Sequence, residues 1–242
     1  VGLAEIGRAL PMFLRTMREL RRAAAERRPS VAVLVDFPDF NLKLAKHLKR
    51  QGVTVVYYIS PQLWAWRKYR ISTIRKYVDL LLTILPFEKA WYADHGIEHV
   101  EYVGNPLARA VVADTSRGDF AAKAGLDPKS PIISLLPGSR RKEISRILPP
   151  MLEAAGVVAR SLPSAQFVIA LASEAHAEYV DTLVGRVPKG VKVIAGDTYN
   201  AVAASDAAAV TSGTATLETA ILGTPMTIGY RTSRLNYKLL EP

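Results

Sequence analysis

Small hydroxyl residues and a glycine lead into a helix-like stretch at Thr211-Ser212-Gly213-Thr214-Ala215-Thr216-Leu217-Glu218, directly after the apolar run Ala207 to Val210. A strand, a tight glycine turn and a helix start together present free backbone N–H groups to an anion, and the Ser212, Thr214 and Thr216 hydroxyls add donors. Glu218 falls one helical turn beyond Thr214 on the same face, where a carboxylate accepts two hydrogen bonds from a ribose. The chemistry implied is that of a nucleoside diphosphate site. The plainer reading is an ordinary helix start with Ser212 or Thr214 as N-cap.

Three further segments carry reactive or ligand-gripping groups. In Leu136-Pro137-Gly138-Ser139-Arg140-Arg141, glycine permits close backbone approach, Ser139 donates and Arg140 can hold a phosphate through two parallel bonds. An arginine at a helix start opposes the helix dipole, so an anionic partner explains it better than a bare turn does. In Asp36-Phe37-Pro38-Asp39-Phe40-Asn41, Asp39 and Asn41 read as helix caps, whereas Asp36, at the strand edge, is placed to take a proton from a hydroxyl nucleophile. In Ser60-Pro61-Gln62-Leu63-Trp64-Ala65-Trp66-Arg67, Trp64 and Trp66 suit either a sugar-stacking wall or core packing.

These segments all follow apolar, β-branched runs, which points to an alternating α/β chain with parallel sheets. Strands are expected at 31–35 (buried), 53–59, 78–85 and 99–103, with helices at 42–50, 69–77 and 88–95 between them. Gly104-Asn105-Pro106 and the polar stretch Asp114 to Asp119 mark a linker. A second alternation then places strands at 132–136, 166–171, 191–194, 207–210 and 225–230. Its helices fall at 142–162, interrupted by Pro149-Pro150, and at 174–183, 199–204 and 214–222. The reading is two Rossmann-like domains, 1–106 and 107–242, whose ligands bind outside the carboxyl ends of the strands.

Composition narrows the field. The 242 residues are 49% hydrophobic and 22% charged, enough to bury a sizeable core. No apolar run reaches membrane-spanning length, since Val78 to Leu85 contains Asp79 and is followed by Pro86. The absence of cysteine excludes disulfides and thiolate metal sites. The net charge of +10 attracts nucleic acid, anionic lipid or phosphorylated substrates. Its basic clusters, at 15–28, 43–50, 67–76 and 140–146, lie on separate segments without a nucleic-acid-binding signature, which argues against nucleic acid. The N-terminal segment repeats Leu3, Ile6, Leu10, Phe13, Leu14 and Met17 at helical spacing among arginines. It reads as an amphipathic helix that packs on a sheet or lies on an anionic membrane. At the other end, Leu239 to Pro242 stops inside an apparent helix.

Six ordered motifs together resemble the lipid-A-disaccharide synthase family: Asp36 to Asn41, Ser60 to Trp66, Leu85-Pro-Phe-Glu88, Leu136 to Arg140, Ser212 to Glu218 and Gly229-Tyr-Arg231. The resemblance runs through essentially the whole chain. It implies a GT-B-type fold, two Rossmann-like domains facing a cleft, and an inverting transfer without metal or cofactor, the UDP-sugar being a substrate. The reaction would join UDP-2,3-diacylglucosamine to 2,3-diacylglucosamine 1-phosphate, giving a β-1,6 disaccharide and UDP. UDP would lie in the second domain, with its diphosphate against Ser139, Arg140, Ser212, Gly213 and Thr214 and its ribose near Glu218. Asp36 would be the base, and Trp64 and Trp66 would line the substrate side. Leu3, Ile6, Leu10, Phe13 and Leu14 would contact the cytoplasmic face of the inner membrane, where the protein would be peripheral. The family pattern also has an opening strand and closing helices that support a homodimer. Without them, the 242 residues are expected to be poorly stable and inactive. Alternatives are a peptidoglycan GlcNAc transferase, a UDP-GlcNAc 2-epimerase or a non-catalytic nucleotide-sugar binding module.

Overall fold

The computed structural model describes residues 3–184 and 190–231, with the side chains of 3–9 and 184 outside that description. The expected helix at 239–242 also lies outside it. The chain forms two compact units, Val1–Pro106 and Leu107–Pro242.

The first unit is a parallel sheet of β1 (Val31–Val35), β2 (Thr54–Tyr58), β3 (Leu80–Thr83) and β4 (Val100–Tyr102), paired in that order. It carries α1 (Leu3–Arg27), α2 (Pro38–Arg50), α3 (Ile71–Tyr77) and α4 (Glu88–Asp94). Helical spacing brings Met17 and Ala24 of α1 and Leu42, Ala45 and Leu48 of α2 into one core. There they meet Val55 and Tyr57 of β2, Ile74, Leu81 and Tyr92. β1 is not the fully buried strand expected: Leu34 is buried, but Val31, Val33 and Val35 point the other way and are exposed. The period-2 alternation of a strand makes that split.

Two helix starts also differ from expectation. α2 begins at Pro38, whose fixed φ suits a first helical position, so neither Asp39 nor Asn41 caps it. The stretch after β4 holds α5 (Leu107–Ala110) and α6 (Arg117–Ala124) instead of a plain linker. Ser116 caps α6 through the Asp119 N–H, and Gly125, at φ 65°, ends it.

The second unit contains α5 and α6 together with β5 (Ile132–Leu136), α7 (Arg141–Ser161), β6 (Gln166–Leu171) and α8 (Ala177–Val184). β7 (Val191–Ala195), α9 (Thr198–Ala203), β8 (Ala207–Thr211), α10 (Thr214–Ile221) and β9 (Met226–Gly229) follow. All pairings are parallel, in the order β7-β6-β5-β8-β9. Ile144, Leu148 and Met151 of α7 cover one sheet face with Phe167 and Ile169. Phe120 of α6, Val202 of α9 and Ala208 and Val210 of β8 pack on the other. α7 runs unbroken through Pro149-Pro150, where an interruption was expected. Each proline forfeits a helical hydrogen bond. The continuous apolar stripe from Ile144 to Ala155, buried on the sheet, offsets that loss.

Candidate nucleotide site

Chain order reverses between β5 and β8, the first strand of this sheet running to β6 on one side and to β8 on the other. Such a switch point leaves a crevice beyond the carboxyl ends of the two strands. The Thr211 hydroxyl donates to the Leu136 carbonyl at 2.8 Å, fastening the two strand ends together. The loops that continue from them line one cavity of about 420 Å³ that takes in Ser139, Arg140, Ser212, Gly213, Thr214 and Glu218. Six of the seven residues singled out in the second half of the sequence therefore share one site, Thr216 being the exception.

On the β8 side, the N-cap of α10 is Gly213, and no side chain caps the helix. Neither Ser212 nor Thr214 acts as the cap that the plainer reading required. The first N–H groups of α10 therefore open on the cavity as an anion-binding end. Thr216 is a correction: its hydroxyl donates to the Gly213 carbonyl at 2.7 Å, so it is not a ligand donor. Glu218 accepts from the Tyr199 hydroxyl at 3.1 Å. Burial, then the Glu218 charge, raises the Tyr199 pKa, which keeps that phenol a donor. Glu218 and Thr198 also border a second cavity of about 370 Å³, lined further by Asp114, Asp197, Tyr199 and Asn200.

On the β5 side, Arg140 is the N-cap of α7 and has an anionic partner already. Its Nη1 donates to Glu143 Oε1 at 2.6 Å, and Glu143 Oε2 accepts the Ser139 N–H at 3.2 Å. Gly138, at φ 113°, makes this close approach feasible: a Cβ there would lie 2.8 Å from both Cβ and Oε2 of Glu143. His176 Nε2 lies 3.0 Å from the Ser139 carbonyl and steadies the loop from the other side. Glu143, Thr198, Tyr199 and Asn200 escaped the sequence reading. Only Glu143 had a local signal, standing three residues past the N-cap, where carboxylates reach back to the chain before the helix.

In the first unit, Asp36 and Phe37 follow β1 with φ of 47° and 45°, an unusual pair of left-handed non-glycine residues. The Asp36 carbonyl accepts from the buried Tyr57 hydroxyl at 2.6 Å and from Asn41 Nδ2 at 2.8 Å. Asn41 Nδ2 also reaches the Val35 carbonyl at 3.0 Å. Burial, reinforced by the Asp36 charge, raises the Tyr57 pKa, so the phenol stays protonated as a donor. These contacts use the Asp36 backbone and leave its exposed carboxylate without a hydrogen-bond partner among the described residues. Asp39 instead pairs with Arg67, at 2.7 Å, and with the buried Arg70.

The two tryptophans do not form one wall. Trp64 is half-buried, donates to Glu88 at 3.2 Å and packs edge-on against Phe87 at 5.2 Å. Trp66 is exposed, with the Arg67 guanidinium 4.3 Å from its ring centre. The apolar stripe of α1 is likewise divided. Phe13 packs with Phe37 and Phe40, at 5.5 and 6.3 Å, while Leu10 and Leu14 are exposed; Leu3 and Ile6 have side chains outside the description. Among the described residues, no helix is long and apolar enough to cross a membrane, and no group of three or more His, Cys, Asp or Glu could hold a metal ion.

Two Rossmann-like units, one with anion-binding loops at its switch point, define a GT-B-type α/β protein. Solved structures share the fold. S. aureus MnaA in a co-structure with UDP superposes with a TM-score of 0.67 at 13% identity, over 95% of this chain and 66% of that one. The Neisseria meningitidis UDP-GlcNAc 2-epimerase bound to UDP-GlcNAc gives 0.62 at 15% identity, over 94% and 67%. The chain belongs to the lipid-A-disaccharide synthetase family, whose model matches residues 1–241. It is 44% identical over 238 residues to the lipid-A-disaccharide synthase of Syntrophus aciditrophicus, and 41% identical over 240 to that of Koribacter versatilis. It spans 98% and 99% of its own length in those matches but only 62% of each relative.

Proposed function

We propose that this chain provides the UDP-sugar site and the acceptor-activating base of a lipid A disaccharide-forming glycosyltransferase. The observation that carries the reading is the single cavity beyond β5 and β8. There the Ser139-Arg140 loop and the uncapped start of α10 converge, with Glu218 alongside. Arginine and helix N–H groups are the donors that stabilise a departing diphosphate. The diphosphate of UDP-2,3-diacylglucosamine would lie against Ser139, Arg140, Ser212, Gly213 and Thr214, with its ribose hydroxyls on Glu218.

The acceptor would be 2,3-diacylglucosamine 1-phosphate. Its 6-hydroxyl attacks the anomeric carbon from the face opposite UDP, so the new C–O bond forms as the sugar–phosphate bond breaks. The hydroxyl proton passes to Asp36, the electron pair leaves with UDP, and the configuration inverts to β-1,6. Trp64 and Trp66 belong to the loop that would line the acceptor side. The exposed Leu10 and Leu14, among the arginines of α1, suit attachment to an anionic membrane surface. On this reading the protein would work at the cytoplasmic face of the inner membrane, and its full-length assembly would be a homodimer.

The test is a product assay on protein containing this chain at the full length of its relatives. Supplied with both lipid substrates, it should form disaccharide and UDP in equal amounts. Interconversion of UDP-GlcNAc with its 2-epimer, or binding without turnover, would assign the site to another activity.

A further inference from the structure

We infer that Glu143 is a built-in competitor for the diphosphate. This rests on the nucleotide-site reading above and adds a means of release to it. The Glu143 carboxylate holds the Ser139 N–H and one arm of the Arg140 guanidinium, donors that a phosphate in this cavity would use. A carboxylate and a phosphate edge offer the same pair of acceptor oxygens to such a fork. Glu143 itself lines the cavity, so it stands where the ligand must come.

Helix capping alone does not account for the arrangement. A capping carboxylate at this position reaches back to the N-cap N–H. Glu143 passes over that group, takes the N–H one residue earlier and draws in the Arg140 side chain. The asymmetry of exposure matters as well: the Arg140 side chain is 72% exposed and that of Glu143 only 23%. The guanidinium is therefore reachable by an incoming anion while one of its nitrogens is held by a partly desolvated negative charge. An arriving diphosphate must either displace the carboxylate from these donors or bind beside a like charge. Both weaken nucleotide binding, and both favour release of a spent nucleotide.

The test compares protein containing this chain at the full length of its relatives with its Glu143→Gln variant by calorimetry and stopped-flow, using UDP, inorganic pyrophosphate and uridine. Glutamine suits this helix position as well as glutamate does, and melting curves verify the fold. Glu143→Ala serves as a second, uncharged variant. The expected result is UDP and pyrophosphate binding about tenfold tighter in the uncharged variants, mostly through slower dissociation, the scale of one charged hydrogen bond. Uridine affinity should not change, and adding Arg140→Ala should abolish the gain. Unchanged or weaker UDP binding in the folded variants, or an equal gain for uridine, overturns the inference while leaving the nucleotide site intact. Failure of every form to bind UDP overturns both.

Discussion

At the scale of the residue, the candidate site is an arrangement of donors that neighbouring groups position, two of them already engaged by Glu143. Arg140 is the one guanidinium lining the switch-point cavity among the described residues, so Arg140→Ala should weaken UDP binding about ten- to hundredfold, measured by calorimetry. The Asp36 turn works differently, because two left-handed residues need external support. Tyr57→Phe removes a buried donor from the Asp36 carbonyl and should cost about 1 kcal/mol in urea unfolding. Sequence reading could single out Asp36, Arg140, Ser212 and Glu218 as candidates because strand ends and glycine turns are local signals. It missed Tyr57, Tyr199 and Thr198 because their roles arise from contacts across the fold. It also misjudged Asp39, whose partners lie twenty-eight and thirty-one residues along the chain and are invisible to a capping rule.

At the scale of the element, the second sheet was legible because parallel strands buried on both faces read as continuous apolar runs. What failed were the rules for short or interrupted helices. Pro149-Pro150 looked like a break, yet α7 continues because its buried stripe spans the prolines. α6 carried a Ser116 cap and a Gly125 stop but was hidden by its polar composition. The strands that bear the two phosphate-side loops are also tied at their opposite ends. Asp206, just before β8, accepts the Ile132 N–H of β5 at 2.8 Å and pairs with Arg117 at 2.9 Å. The Arg117 hydrogen bond, aided by the Ile132 N–H and the Arg117 charge, outweighs partial burial and holds the Asp206 pKa below the usual carboxylate value. The folded-state pKa is the lower one, so this stabilisation is fully present above about pH 4 and is lost as pH falls through the depressed value. Asp206→Asn should therefore lower the melting temperature at pH 7 and flatten its fall below about pH 4.

At the scale of the whole molecule, the +10 charge and the exposed leucines of α1 lead to a surface prediction. Leu10→Asp with Leu14→Asp should abolish co-sedimentation with anionic vesicles and leave UDP affinity unchanged, because the nucleotide cavity is lined entirely by the second unit. The larger claim is a division of labour: the second unit holds the leaving nucleotide, and the first supplies the base. Its most direct measurement is Asp36→Asn in the full-length protein, comparing the turnover number for disaccharide with UDP affinity by calorimetry. The account predicts that turnover falls about 10²- to 10⁴-fold with UDP affinity unchanged. Undiminished turnover, or an equal loss of turnover and UDP affinity, would contradict it.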